Sequence, residues 1–339
     1  MTPPALDLTR RQILAFRRHA GALDARLPAG PTSLHRAAWA GLQDSMPRAA
    51  LLSLHARVEG SHPTLLDHPS LIQLWGPRYS VYVVAARDRA IFTLGRRADG
   101  AKARLGEALA DRLQARLGDG RMPFGEAGRA LGVEPNRLRY AAPTGRVLLR
   151  WDGARQPTIW IAPPPDVDPE QARLELARRY LHVFGPATPR AFATWAGIAA
   201  RQGIAIFEAL GSERTRVRMP IGEAWILARD EAALRAAPGP AAAARLLPSG
   251  DAYTLLQGAD RELLVEDAAH RRELWPTRVW PGAVLVDGEI VGSWRRAAGR
   301  LSVSPWRRLE AAERCAVEDE AAGLPLPGID GPVALRWSD

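Results

Sequence analysis

Residues 100–117 (GAKARLGEALADRLQARL), 123–131 (PFGEAGRAL) and 134–140 (EPNRLRY) are followed by 146–151 (RVLLRW) and 158–161 (TIWI). The first three stretches read as helices, separated by the Gly and Pro residues that interrupt regular structure. The last two are apolar and rich in strand-forming residues. They flank the turn-rich segment DGARQP at 152–157, which predicts a β-hairpin. Three short helices followed by a strand pair make a winged helix, the helix-turn-helix variant with a hairpin as its wing. The same order recurs downstream. Helices are expected over 169–184, 189–196 and 199–210, then a second hairpin from Thr215–Met219 and Glu223–Ala228. No fixed-period identity accompanies it, so the architecture repeats and the sequence does not. Each hairpin is expected to be a separate ribbon packed on the helices of its own unit.

Working outward, residues 9–20 open at Thr9 and place Ile13, Phe16 and Ala20 on one helical face. Helices are expected over Leu34–Leu42 and Pro47–Val58, joined by Gln43-Asp44-Ser45-Met46, and a buried strand over 80–86 (SVYVVAA). The Ala/Pro tract 236–244 reads as a linker. Beyond it Ala283–Val286 and Ile290–Trp294 meet across Asp287-Gly288, a strong hairpin turn. Leu301–Ser304 continues that sheet, and 306–322 reads as a charged helix. The fold class is therefore α+β, with winged-helix units at 1–98, 99–165 and 166–235. A small β-rich domain follows at 245–339, with Trp294 and Val303 expected to be partly buried.

The 339 residues are 47% hydrophobic and 24% charged, an ordinary globular balance that excludes general disorder. No run approaches 18 uncharged apolar residues, and the N-terminal MTPPALDLTRRQ carries charge where a signal peptide needs an apolar stretch. A cytoplasmic protein without membrane contact is expected. One cysteine, Cys315, excludes a disulfide framework and a Cys-built zinc site. Of 46 basic residues only Lys102 is lysine. Residues 1–150 hold 23 basic and 12 acidic side chains, net +11, whereas 151–339 are net −2. A positive half is the footprint of a phosphate-backbone binder, although arginine also pairs locally and lies over apolar surface. Walker A, GxGxxG and GxSxG patterns are absent. His55, His62 and His68 fall close together but match no metal-ligand spacing. No metal and no cofactor is expected.

Four segments resemble one known family. They are GLQDSMPRAALLSLHAR at 41–57, FGPATPRAFATWAG at 184–197, LLPSGDAY at 246–253 and VLVDGEIVGSW at 284–294. In this order, and across nearly the whole chain, they are similar to the winged-helix superfamily of azinomycin-resistance (AlkZ-like) and YcaQ-like DNA glycosylases. The resemblance implies tandem winged helices followed by a β-barrel-like C-terminal domain, forming a concave surface around duplex DNA. It also implies cleavage of the N-glycosidic bond of alkylated purines, with alkylated or crosslinked duplex DNA as partner and a monomeric protein. Characterised members carry Gln-x-Gln or Gln-x-Asp after the Gly-Leu pair, where this chain has Gln43-Asp44-Ser45. Many relatives read Arg-Gly-Thr-Leu-His where it has Arg78-Tyr-Ser-Val-Tyr82.

Residues i and i+2 share a face in extended backbone, and Met46 before Pro47 is biased toward extension. Gln43 and Ser45 would then face DNA together, with Asp44 turned away. Gln43 is the candidate water-positioning residue, with Ser45 or Asp44 completing the catalytic motif. Two structural roles compete: Ser45 as the N-cap of the following helix, and Asp44 acting on that helix's dipole. Arg48, Arg57 and Arg78 lie in or beside the matching segments. Arg150 and Arg155 belong to the first hairpin, while Arg214, Arg216 and Arg218 share one face of a strand in the second. All eight are candidate DNA contacts, with surface ion pairs as the competing role. If the second glutamine is essential, the alternative is a non-catalytic DNA-binding protein, with a regulatory role as one form of it.

Overall fold

The computed structural model describes residues 6–46, 48–153, 155–236, 239–297, 299–328 and 333–338. Thr9 opens helix Arg10–Ala20 as the sequence predicts. Its hydroxyl accepts from the Gln12 N–H while the Gln12 side chain accepts from the Thr9 N–H, a reciprocal capping box. Ile13 and Phe16 are buried, but against residues far away in the chain. Their core includes Val217, Met219, Ala224, Ile226 and Leu263. Arg17, on the same helix, donates to the carbonyls of Gly185 and Pro186, each at 3.1 Å. The first helix thus docks on residues 185–263, while its Leu14 shares a core with Leu23, Ala40, Ala56 and Leu74 of the 1–98 segment.

Three sheets organise the described residues. The largest has six strands in the order Leu42–Gln43, Val81–Ala85, Leu71–Trp75, Val147–Arg150, Thr158–Ile161 and Arg121–Pro123, with every neighbouring pair antiparallel. The expected hairpin at 146–161 is present, but it is no free ribbon. It joins the strands of the first unit through a Gln73–Leu149 pairing, so one sheet crosses the boundary expected at 98/99. The physical reason is the Gln73 side chain. Its amide oxygen accepts from Trp151 N–H at 2.7 Å, and its amide nitrogen donates to the Trp151 carbonyl at 3.1 Å. The second sheet pairs Arg214–Met219 with Gly222–Leu227, and Leu6–Asp7 adds a parallel edge.

The third sheet runs Ala244–Leu247, Gly282–Val286, Glu289–Ala297, Arg300–Pro305 and Ala334–Trp337. Its central hairpin turns at Asp287-Gly288 with φ of 47° and 83°, as the Asp-Gly pair predicts. The sheet is open. Its edge strands 244–247 and 334–337 are not neighbours, which corrects the barrel-like expectation. Helix Ala311–Ala322 covers one face instead, and Val317 and Ala321 pack on Val284, Trp294 and Val303. A covered sheet has already buried the apolar surface that closure would bury. Trp294 and Val303 are fully buried, beyond the partial burial expected.

Other differences are local. The stretch expected as one helix over 34–42 divides into helix Pro31–Ala37 and strand Leu42–Gln43. The next helix is Ala49–His55; Pro47, its expected first residue, lies outside the described residues. The third helix of the second unit is a 3-10 helix over Pro135–Thr144.

A candidate active site around Gln43

Gln43 ends a two-residue strand and pairs with Tyr82, and the next N–H, on Asp44, donates to the Val81 carbonyl at 2.8 Å. Extended backbone alternates the side chains. Gln43 is half-buried, Asp44 is 1% exposed and Ser45 is exposed. The Gln43 amide oxygen accepts from Arg78 Nη2 at 3.1 Å and, at 3.5 Å, from the Tyr82 hydroxyl. Burial pushes the Tyr82 hydroxyl up to about 12, so it remains a neutral donor. The amide nitrogen faces Gly250, where an added Cβ would stand 3.3 Å away on a backbone of φ 76°. Glycine there leaves the carboxamide its room.

Asp44 points inward. Its carboxylate accepts from Ala50 N–H at 3.0 Å and from Gln73 Nε2 at 2.8 Å. Burial outweighs both bonds and raises its carboxyl to about 6. Asp44, and not Ser45, therefore satisfies the start of helix 49–55. The N-cap position itself is Arg48, in left-handed backbone at φ 65° and without a side-chain cap bond. Ser45 makes no hydrogen bond among the described residues. Through Gln73 the same carboxylate is tied to Trp151 and the first hairpin.

Arg78 and Tyr79 both adopt left-handed backbone, at φ 54° and 58°. Gly197 packs so closely on this turn that a Cβ there would lie 2.9 Å from Arg78 N. Arg57 is turned into the protein. It forms a bidentate pair with Asp251, both distances 2.7 Å, and the Ser53 hydroxyl donates to the same carboxylate at 2.6 Å. Burial would raise the Asp251 carboxyl, but Arg57, Ser53 and the Tyr253 N–H together hold it below the usual range. With Arg57 2% exposed, phosphate contact by this residue is excluded. Its role is to hold the 248–253 loop, and with it Gly250, against helix 49–55.

The remaining arginines divide by place. Arg78 holds Gln43, while Arg48 is close enough to Asp44 for its charge to act on that carboxyl. Arg150 lies on the first hairpin, paired with Asp67 and donating to the Leu66 carbonyl at 2.9 Å. Arg155 is exposed, with no side-chain partner among the described residues. Arg214 stacks on Trp225 at 3.9 Å, Arg216 pairs with Glu223 and Arg218 meets Asp7 at 3.7 Å. These three belong to another sheet and do not reach Gln43. The histidines serve locally: His62 bonds Thr64, His68 bonds Ser70 and His55 meets Arg26. Among the described residues no cluster of His, Cys, Asp or Glu could hold a metal ion, and no helix is long and apolar enough to cross a membrane.

Sequence reasoning missed Gln73, Gly250 and Asp251. The last two were visible only as part of LLPSGDAY, a segment with no chemistry of its own until Arg57 and Gln43 are placed beside it. The model of the family described as DNA glycosylase AlkZ-like matches residues 36–325. An interstrand DNA cross-link repair glycosylase of Streptomyces sahachiroi is 31% identical over 159 residues, 46% of this chain and 42% of that protein. The chain thus matches under half the length of that relative. The solved structure of the Streptomyces sahachiroi DNA glycosylase AlkZ shares the fold, with a TM-score of 0.79 at 20% identity over 98% of this chain and 100% of that one. The family match spans most of the chain, including Gln43, Arg57, Arg78 and Asp251, and the chain belongs to the AlkZ-like DNA glycosylase family.

Proposed function

We propose that the protein is a monofunctional DNA glycosylase, acting as a monomer inside the cell on alkylated or crosslinked purines in duplex DNA. The observation that carries this reading is the Gln43 carboxamide, half-open to solvent and held by Arg78 and Tyr82. Glycosidic cleavage passes through an oxocarbenium-like state, and a cationic N-alkylated purine already leaves well. The site then needs a water held against the sugar, not a strong acid. The 3.5 Å Tyr82 contact is weak enough for a water to replace it on the amide oxygen. Arg78 keeps the other side of that oxygen fixed, and its charge suits it to meet a phosphate of bound DNA. A Schiff-base lyase step is disfavoured, because the only lysine, Lys102, is not at this site. The helix-hairpin units at 1–98, 99–165 and 166–235 are read as tandem winged helices, with 245–339 as the closing domain.

A second reading is favoured by Ser45, which is exposed where relatives place a second amide or a carboxylate. In that reading the chain binds DNA without cutting it. Incubation with a duplex carrying N7-methylguanine, followed by alkali, separates the two. Base release by the wild type, abolished in Gln43→Ala with duplex affinity nearly intact, supports the enzyme, since a water-positioning amide acts on the transition state and phosphate arginines on the ground state. Binding without release on any alkylated duplex supports the binder, and release surviving in Gln43→Ala removes this motif from the mechanism.

A further inference from the structure

Among the described residues Val279 is the most exposed large apolar side chain, at 61%, and the only β-branched residue in left-handed backbone, at φ 46°. A β-branched side chain is a true outlier there, because its branch crowds the backbone. Burial does not compensate it. The loop around it is nevertheless fixed. Pro276 and Pro281 bracket it, the Trp280 ring N–H donates to the Pro276 carbonyl at 2.9 Å, and Arg295 donates to the Val279 carbonyl at 3.2 Å. Strain of this kind gathers at working sites, and Arg78 and Tyr79 beside Gln43 share the same backbone region.

Val279 stands at a cavity of about 200 Å³ that Met46, Ser249 and Trp280 also line. This cavity adjoins the candidate active site: Met46 follows Ser45, and Ser249 precedes the Gly250 against which Gln43 packs. Met46 is itself 37% exposed. Cavities on the order of 150 Å³ hold a single aromatic ring, so this one is sized for a nucleobase. Trp280 is kept in place by Arg261, which lies over it at 5.1 Å and over Trp275 at 4.9 Å. Arg295 and Arg296 line the cavity and no carboxylate does. Neither of them, nor the exposed Arg278 next to Val279, has an ion-pair partner among the described residues. An apolar projection over an apolar cavity, with unpaired cations around it, is complementary to a base stack inside its phosphates.

We propose that Val279 is a wedge: on a bound duplex it enters the base stack at the target pair, and the cavity beside Gln43 receives the unstacked base. Apolar wedges part base steps in this way, and enzymes that act on a base take it out of the stack. A stiff side chain on a fixed loop loses little freedom on insertion. The wedge rests on the glycosylase reading, which brings the duplex to Gln43.

Val279→Gly and Val279→Asn test it, because left-handed backbone suits both residues better than valine. Neither variant should melt below the wild type. A duplex carrying 2-aminopurine beside 2′-fluoro-N7-methyldeoxyguanosine, whose glycosidic bond resists cleavage, reports unstacking by fluorescence. At saturating protein the wild type should raise that signal, and both variants should raise it at least about threefold less. Base release from paired N7-methylguanine should slow on the order of tenfold in the variants. Opposite an abasic-site analogue it should slow by less than about twofold, since that base is already unpaired. A fluorescence rise that needs Val279, in a protein that releases no base, leaves the wedge standing and overturns the glycosylase reading alone. The wedge is overturned if the wild type gives no rise, if the rise is indifferent to Val279, if paired and unpaired lesions slow equally, or if the variants melt below the wild type.

Discussion

Gln43, Asp44 and Ser45 are consecutive, yet one is held at the surface of the site, one is sealed beneath it and one is unsupported. Because Ser45 caps nothing, Ser45→Ala should leave stability within about 0.5 kcal/mol of wild type in chemical denaturation. A loss on the order of 1 kcal/mol would restore the capping role. Ser45→Gln would place a second amide beside Gln43 and should raise base release on N7-methylguanine DNA; an unchanged rate in a folded variant would show that a second amide is not what limits this site. Arg57→Ala leaves the Asp251 carboxylate buried without its partner. It should cost about 3–5 kcal/mol, with Arg57→Ala/Asp251→Ala costing less than the two single losses added. Additive losses in that cycle would mean that the pair is not coupled.

At the scale of elements, helix 49–55 is short and depends on what holds its ends. Asp44 meets its first turn, while His55 at its end is joined to Arg26, which pairs with Glu320 of helix 311–322 at 2.7 Å. Burial first, then the charges of Arg26 and Arg245, lower His55 to about 4. A histidine with a depressed folded-state value favours the fold while neutral. Its contribution is present above about 6.5, the ordinary value, and is lost as pH falls toward about 4. Asp44 has the opposite sign. Its folded value of about 6 exceeds the ordinary 3.8, so its contribution is full below 3.8 and lost as pH rises through about 6. The two oppose each other between about pH 4 and 6. Denaturation against pH should therefore show a shallower acid loss in His55→Gln and a steeper one in Asp44→Asn. Parallel curves for all three proteins would remove both groups from the pH response.

At the scale of the whole molecule, the first helix docks on residues 185–263, the first hairpin joins the strands at 42–85, and Arg57 joins the 248–253 loop. Every expected unit is thus fastened to another, which places Gln43 at the edge of the six-stranded sheet, against the Arg78 turn and the 248–253 loop. The net +11 of residues 1–150 is only partly spent on internal pairs such as Arg57–Asp251. Affinity for an unmodified duplex should fall at least about tenfold between roughly 50 and 200 mM salt, through counterion release. Near-constant affinity over that range would mean that the arginines are consumed within the protein.

The sequence by itself determined the local elements: the Thr9 cap, the Asp287-Gly288 hairpin, the two downstream helix-hairpin runs and the alternation of Gln43, Asp44 and Ser45. Each rests on contacts within a few residues, where periodicity and turn chemistry act directly. It also carried the family resemblance, in segments whose meaning stayed hidden. Only the tertiary structure decided what those elements pack against. An amphipathic helix encodes that it needs a partner but not which one, so residues 10–20 could not reveal their dock on residues 185–263. Whether a carboxylate is a catalyst, a cap or an anchor depends on which donors reach it. For Asp44 these are Ala50 and Gln73, and for Asp251 they are Ser53, Arg57 and Tyr253. The distant ones among them, Gln73, Ser53 and Arg57, are chosen by packing, which no local pattern of residues records.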